Sequence, residues 1–159
     1  MLQDAITRPV DRFFAAYSDD HRHPTNQWLH VLCVPAIVWS LLALVYCIPL
    51  GAGLPTGSLA AVMAIASVAF WLWLSVPIGL GAAAMMALSW ASIAALHGAV
   101  GTTTLALIGA AVFVAAWIGQ FIGHHIEGRR PSFFTDLVYL MIGPVWVLSK
   151  GYRKASISY

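Results

Sequence analysis

From Val31 onward the chain reads as apolar runs of membrane length separated by short clusters of helix breakers. Four runs stand out, roughly Val31 to Leu50, Ser58 to Val76, Gly79 to Leu96 and Thr102 to Gly123. Each approaches the ~20 residues a helix needs to cross a bilayer core. Gly51-Ala-Gly-Leu-Pro-Thr-Gly and Pro77 supply the first two breaks. The third run is rich in Ala, Gly and Ser, as expected where helices pack backbone to backbone in lipid. Ahead of these runs, Ile6, Val10, Phe13, Phe14 and Tyr17 recur at helical spacing, with Asp4, Arg8, Asp11 and Arg12 on other faces. That pattern predicts an amphipathic helix over residues 4–18 lying in the membrane interface. Ser18-Asp-Asp-His-Arg-His-Pro-Thr25 then reads as a loop feeding a helix that starts near Thr25. After the last run, Leu137 to Ser149 is mostly apolar but interrupted by Gly143-Pro144. It is too short to cross a core of about 30 Å, and predicts a short re-entrant or interfacial helix, with Asp136 placed to cap it.

Composition agrees with this pattern. Of the 159 residues 60% are hydrophobic and 9% charged, and residues 23–126 contain no Asp, Glu, Lys or Arg. Soluble domains average roughly 25% charged residues. The expected fold is an all-α integral membrane protein, a four-span helical bundle forming one domain over residues 1–159. The net charge of +2 is too small and scattered to argue for nucleic acid. Cys33 and Cys47 both fall in the first apolar run and suggest neither a disulfide framework nor a zinc motif.

An even number of spans puts both termini on one side, and all eight Lys and Arg lie in the terminal segments. The positive-inside rule makes that side cytoplasmic. Five of the six histidines then share one interface, while His97 lies roughly a membrane thickness away. Neutral imidazole is the commonest metal ligand, and ionisable groups near a membrane are costly enough to point to function. His30 and His124, on apolar helices at similar depth, are the strongest ligand candidates, with Asn26 and Gln120 placed to orient them. His21 is a third candidate in its Pro-flanked loop, set against an ordinary solvated loop histidine. His23 and His125 read as surface residues. Glu127 is a candidate ligand or general base, or a salt-bridge partner of Arg129 or Arg130. One of Arg129 and Arg130 fits membrane anchoring and one the bidentate grip of an acyl carboxylate. Interfacial polar residues that merely cap helices remain the alternative to any metal.

Two motif blocks carry a resemblance. Tyr17-x3-His21-x4-Asn26-x3-His30-x4-Pro35, paired with Gln120-Phe-Ile-Gly-His124-x2-Glu127-Gly-Arg129-Arg130-Pro131 and the later Gly143-Pro144, resembles the small membrane family of iron-dependent 2-hydroxy fatty acid dioxygenases. The blocks flank nearly the whole chain, and the pairing is the specific feature. The resemblance implies an alpha-oxidation in which a long-chain 2-hydroxy fatty acid and dioxygen give an acid one carbon shorter. It implies Fe(II) held by His21, His30 and His124, with Glu127 or His125 as a further candidate, and Arg129 or Arg130 on the substrate carboxylate. Glu127 follows His124 by three residues here, where fungal members of the family have four. The expected location is a bacterial inner membrane, or the endoplasmic reticulum of a eukaryote, with termini and site facing the cytoplasm. Two other classes fit the same residues: a bis-His haem protein and a non-catalytic lipid-binding protein that uses His and Arg as interfacial anchors.

Overall fold

The computed structural model describes residues 8–51, 53–130 and 138–159, and among these the secondary structure is entirely helical. Five helices follow in order: α1 Pro9–Asp19, α2 Pro24–Tyr46, α3 Ser58–Leu74, α4 Val76–Glu127 and α5 Val138–Lys154. Asp136, Pro131 and the segment before Arg8 lie outside the described residues.

Local chemistry explains the starts. Pro9 opens α1, with Asp11 in its first turn, where a missing N–H costs nothing and a carboxylate suits the helix dipole. Its buried face is Val10, Phe14 and Tyr17. At α2 the His23 ring accepts the Thr25 N–H and Pro24 takes the first helical position, so the helix begins seven residues before the apolar run at Val31. Ser75 is extended, and α3 therefore ends three residues ahead of the break expected at Pro77, which instead sits in the first turn of α4.

The long helix α4 is two antiparallel limbs. Gly101 has φ 76° and ψ 172°, a backbone state open to glycine and costly for any residue with a Cβ. The limb 76–100 rises along α2: Trp39 Nε1 donates to Ser92 Oγ at 2.9 Å, and His97 meets the Tyr46 ring at 5.4 Å. After Gly101 the limb 102–127 descends antiparallel to α2. A methyl at Gly109 would touch Leu44, one at Gly119 would sit 2.6 Å from Cys33 Sγ, and one at Gly123 would collide with Asn26. Gly119 and Gly123, four apart, therefore let this limb lie directly on α2. His97, which shares a hydrogen bond with Thr102 Oγ1 at 2.9 Å, marks the end opposite His124.

Helix α5 continues through Gly143 and Pro144, where sequence suggested an interruption. It packs across α1, α2 and α4. Trp71 Nε1 donates to the Met141 carbonyl at 2.7 Å, Tyr152 OH to the Pro77 carbonyl at 2.8 Å, and Trp146 Nε1 to Ser18 Oγ at 2.9 Å. These contacts close the end of the bundle that carries the N-terminal block. By length and composition α2 and α4 can each cross a membrane, and α3 is a shorter apolar helix. Leu88, Ile65, Trp28 and Trp73 each leave two thirds or more of their surface exposed, as residues facing lipid do.

Candidate metal centre

Three elements bring one imidazole each to a common point. His21 is held in the short link between α1 and α2, its backbone N–H closing on the Ser18 carbonyl at 3.1 Å. Its ring stacks on Tyr17 with centroids 4.1 Å apart and planes 9° from parallel. His30 lies on the second turn of α2, one turn beyond Asn26. His124 lies on the last turn of α4, delivered by the Gly119 and Gly123 approach. Ring centroids are 4.3 Å apart for His21 and His30, and 5.0 Å for each of them to His124. All three rings are buried, and a ring nitrogen of each lies within 4.8 Å of the other two.

The hydrogen bonds decide which nitrogen is available. A main-chain carbonyl can only accept, so the 2.6 Å contact from His21 to the Tyr17 carbonyl and the 2.9 Å contact from His30 to the Asn26 carbonyl place a proton on Nδ1 of each ring. That leaves the Nε2 lone pairs for another partner, the arrangement that orients histidine ligands. His21 Nε2 and His124 Nδ1 are buried with no hydrogen-bond partner, an arrangement costing about 1–3 kcal/mol per atom unless something binds there. Burial holds the His21 imidazole below its ordinary pKa, outweighing the Tyr17 carbonyl, Asp20 and Glu127, so the ring is neutral at physiological pH. Nitrogens on one ion at about 2.1 Å lie at most about 4.2 Å apart, so closing this triad on a metal is a side-chain adjustment. The donor set therefore fits a divalent transition metal. It does not fit a haem: the rings meet edge to face, with no gap for a porphyrin plane between any pair.

The remaining sequence candidates are placed as follows. Glu127 stands outside the triad, its carboxylate accepting the N–H groups of Arg22 at 2.9 Å and His23 at 2.8 Å and the Asn26 side-chain amide at 3.0 Å. It ties the end of α4 to the start of α2. Asn26 reaches His30 through its main-chain carbonyl, while its side chain serves Glu127. Gln120 is buried beside the triad with Nε2 unpaired. Arg129 pairs with Asp20 at 2.8 Å, next to His21. Arg130, His23 and His125 are exposed.

The sequence places Tyr17 on the buried face of the first helix and in the first motif block, puts Lys150 only among the basic terminal residues, and does not single out Trp146. Trp146 packs on His21 and His30, with centroids at 5.5 and 6.3 Å. Lys150 lies 4.1 Å above the Trp146 ring and donates to Gln27 Oε1 at 2.8 Å, while Gln27 Nε2 donates to the His21 carbonyl at 2.8 Å. Only the helical offset of Trp146 and Lys150, four residues apart on one face, could have flagged them. A small cavity of about 60 Å³ opens beside His30, His124, Gln120 and Tyr17.

A family model described as 2-hydroxy-palmitic acid dioxygenase Mpo1-like matches residues 7–155. The 2-hydroxy-palmitic acid dioxygenase MPO1 of Saccharomyces cerevisiae is 29% identical over 134 residues, spanning 83% of this chain and 73% of that protein. No solved structure matches. With a buried His triad between the two motif blocks and a family match over nearly its whole length, this chain belongs to the Mpo1-like family.

Proposed function

We propose that this protein is a membrane-embedded dioxygenase that converts long-chain 2-hydroxy fatty acids to acids one carbon shorter, using Fe(II) held by His21, His30 and His124. The observation that carries the reading is the triad itself: three buried imidazoles, two with their Nδ1 protons committed to carbonyls, turned towards one another in a family named for this substrate class. Ferrous iron, when bound, supplies the redox chemistry that dioxygen needs in order to react with a closed-shell acid.

The protein's own groups do the rest. Tyr17 and Trp146 cover the rings and exclude water. The Tyr17 and Asn26 carbonyls fix the ring tautomers. Gln120 offers an unpaired amide donor beside the small cavity, suited to a substrate hydroxyl or carboxylate oxygen. Of the cations at this end of the bundle, Arg129 is paired with Asp20, which leaves Arg130 and Lys150 as the groups suited to meet a substrate carboxylate. On this reading α2, α3 and the two limbs of α4 make four crossings, supported by the length and apolar composition of α2 and α4 and the reversal at Gly101, with the triad at the cytoplasmic end by the positive-inside rule.

The test is oxygen-dependent turnover. Purified protein with Fe(II) and 2-hydroxypalmitic acid should yield pentadecanoic acid in air and none anaerobically. Unchanged substrate in both would leave this function untenable.

A further inference from the structure

Between α2, α3, α4 and α5 lies an apolar cavity of about 320 Å³. Ile37, Val38, Trp117, Leu140 and Pro144 line both it and the small cavity beside His30 and His124. The two therefore adjoin at these residues, with the triad on one side and apolar lining on the other. The lining runs as deep as Leu41 and Leu42 on α2 and Phe113 on α4. These lie eleven or twelve residues beyond His30 and eleven before His124. At 1.5 Å per residue the two helices give a depth of about 16–18 Å. An extended chain of single bonds advances roughly 1.2 Å per bond, a third of the rise of an extended residue. The space thus accommodates about fourteen carbons beyond a head group at the triad.

Resting on the dioxygenase reading above, we propose that this cavity is the acyl-chain channel of the site and that Ala64 and Phe113 set the chain length it accepts. Ala64 lies on the α3 wall, seven residues deeper than Trp71, and presents only a methyl to the space. Phe113 lines the deep half from α4. The occupant is an unbranched acyl chain. The wall is almost wholly apolar, with Ser67 its one hydroxyl, and the polar end of the space is the triad, which orders such a ligand head-first.

Two opposite substitutions test the assignment in the purified full chain. Ala64→Phe fills the deep half and should lower the ratio of kcat/KM for 2-hydroxypalmitic over 2-hydroxydecanoic acid by about tenfold or more, the loss expected when even two methylenes lose their burial. Phe113→Ala should raise the ratio for 2-hydroxybehenic over 2-hydroxypalmitic acid. A general loss of folding does not move two ratios in opposite directions. A readout independent of turnover is displacement of bound cis-parinaric acid by palmitate against decanoate, which Ala64→Phe should shift in the same sense. Ratios unchanged in both variants overturn the channel assignment and leave the cavity to bilayer lipid tails. If the iron-loaded wild type consumes no 2-hydroxy acid, the dioxygenase reading fails; a palmitate displacement that still responds to Ala64→Phe then supports the channel as a fatty-acid site, and one that does not overturns it.

Discussion

Replacing Glu127 with Gln is expected to weaken metal binding without altering what surrounds the metal. The Glu127 carboxylate accepts two main-chain N–H groups at the entrance to α2 and the side-chain amide of Asn26, the residue whose main-chain carbonyl holds His30 Nδ1. Glutamine retains the shape but loses the charge, and turns an NH2 group towards donors that need an acceptor. A helix-capping group is worth about 1 kcal/mol, and the loss of a negative charge at a helix N-terminus about 0.3–1 kcal/mol. The side chain is only partly buried, so the lower part of the range for charged hydrogen bonds applies, and the total comes to about 1–2 kcal/mol. For a chain of this length that lowers Tm by about 3–6 °C. Because the lost contacts orient His30 and the His21 link, metal affinity should fall about tenfold, at the mild end of the effects seen for groups that orient ligands. Thermal unfolding reads the Tm, and titration with Co(II), followed by its visible spectrum, reads the affinity and the ligand set. The midpoint should shift while the band positions at saturation stay those of the wild type. A changed saturated spectrum, or loss of stoichiometric binding, would place Glu127 on the metal and refute this account of its role.

Other outcomes follow from the same geometry. Gln120→Leu removes a buried unpaired donor, so Tm should hold or rise while KM for 2-hydroxypalmitic acid increases; a lower Tm with unchanged KM contradicts the role given to it. Gly123→Val drives a side chain into Asn26 and Leu29, and overpacking of this kind costs about 1–3 kcal/mol, visible as a fall in Tm together with weaker Co(II) binding; unaltered values would show that α2 and α4 do not approach as described. The His21 pKa is lowered in the folded protein, so below about pH 6.5 the unfolded chain takes up a proton that the folded chain resists, and stability is full above that pH and lost as pH falls. The Tm of metal-free protein should therefore drop on acidification, and His21→Phe should reduce that drop; an equal drop in the variant contradicts it.

The helical class and the meeting of the two motif blocks at one end were legible, the latter because successive apolar runs of similar length alternate in direction. The start of α2 near Thr25 was visible in its cap residues. The extent of α4 was not. Gly101 reverses the chain at a single residue, where apolar runs suggested a longer gap between Leu96 and Thr102. Helix α5 persists through Pro144 because tertiary packing of Trp146, Val145 and Ile142 outweighs one missing donor. Contacts across a hundred residues, such as Glu127 with His23, Arg129 with Asp20 and Trp146 with Ser18, follow from neither periodicity nor propensity. They arise only once the bundle closes.

The most direct test of the central claim is Fe(II) stoichiometry of the anaerobically loaded, purified protein, measured in parallel for His21→Ala, His30→Ala, His124→Ala and the exposed His125→Ala. Stoichiometric iron is expected in the wild type and in His125→Ala, and its loss in each of the three triad variants. Iron retained by all three, or absent from the wild type, would contradict the claim.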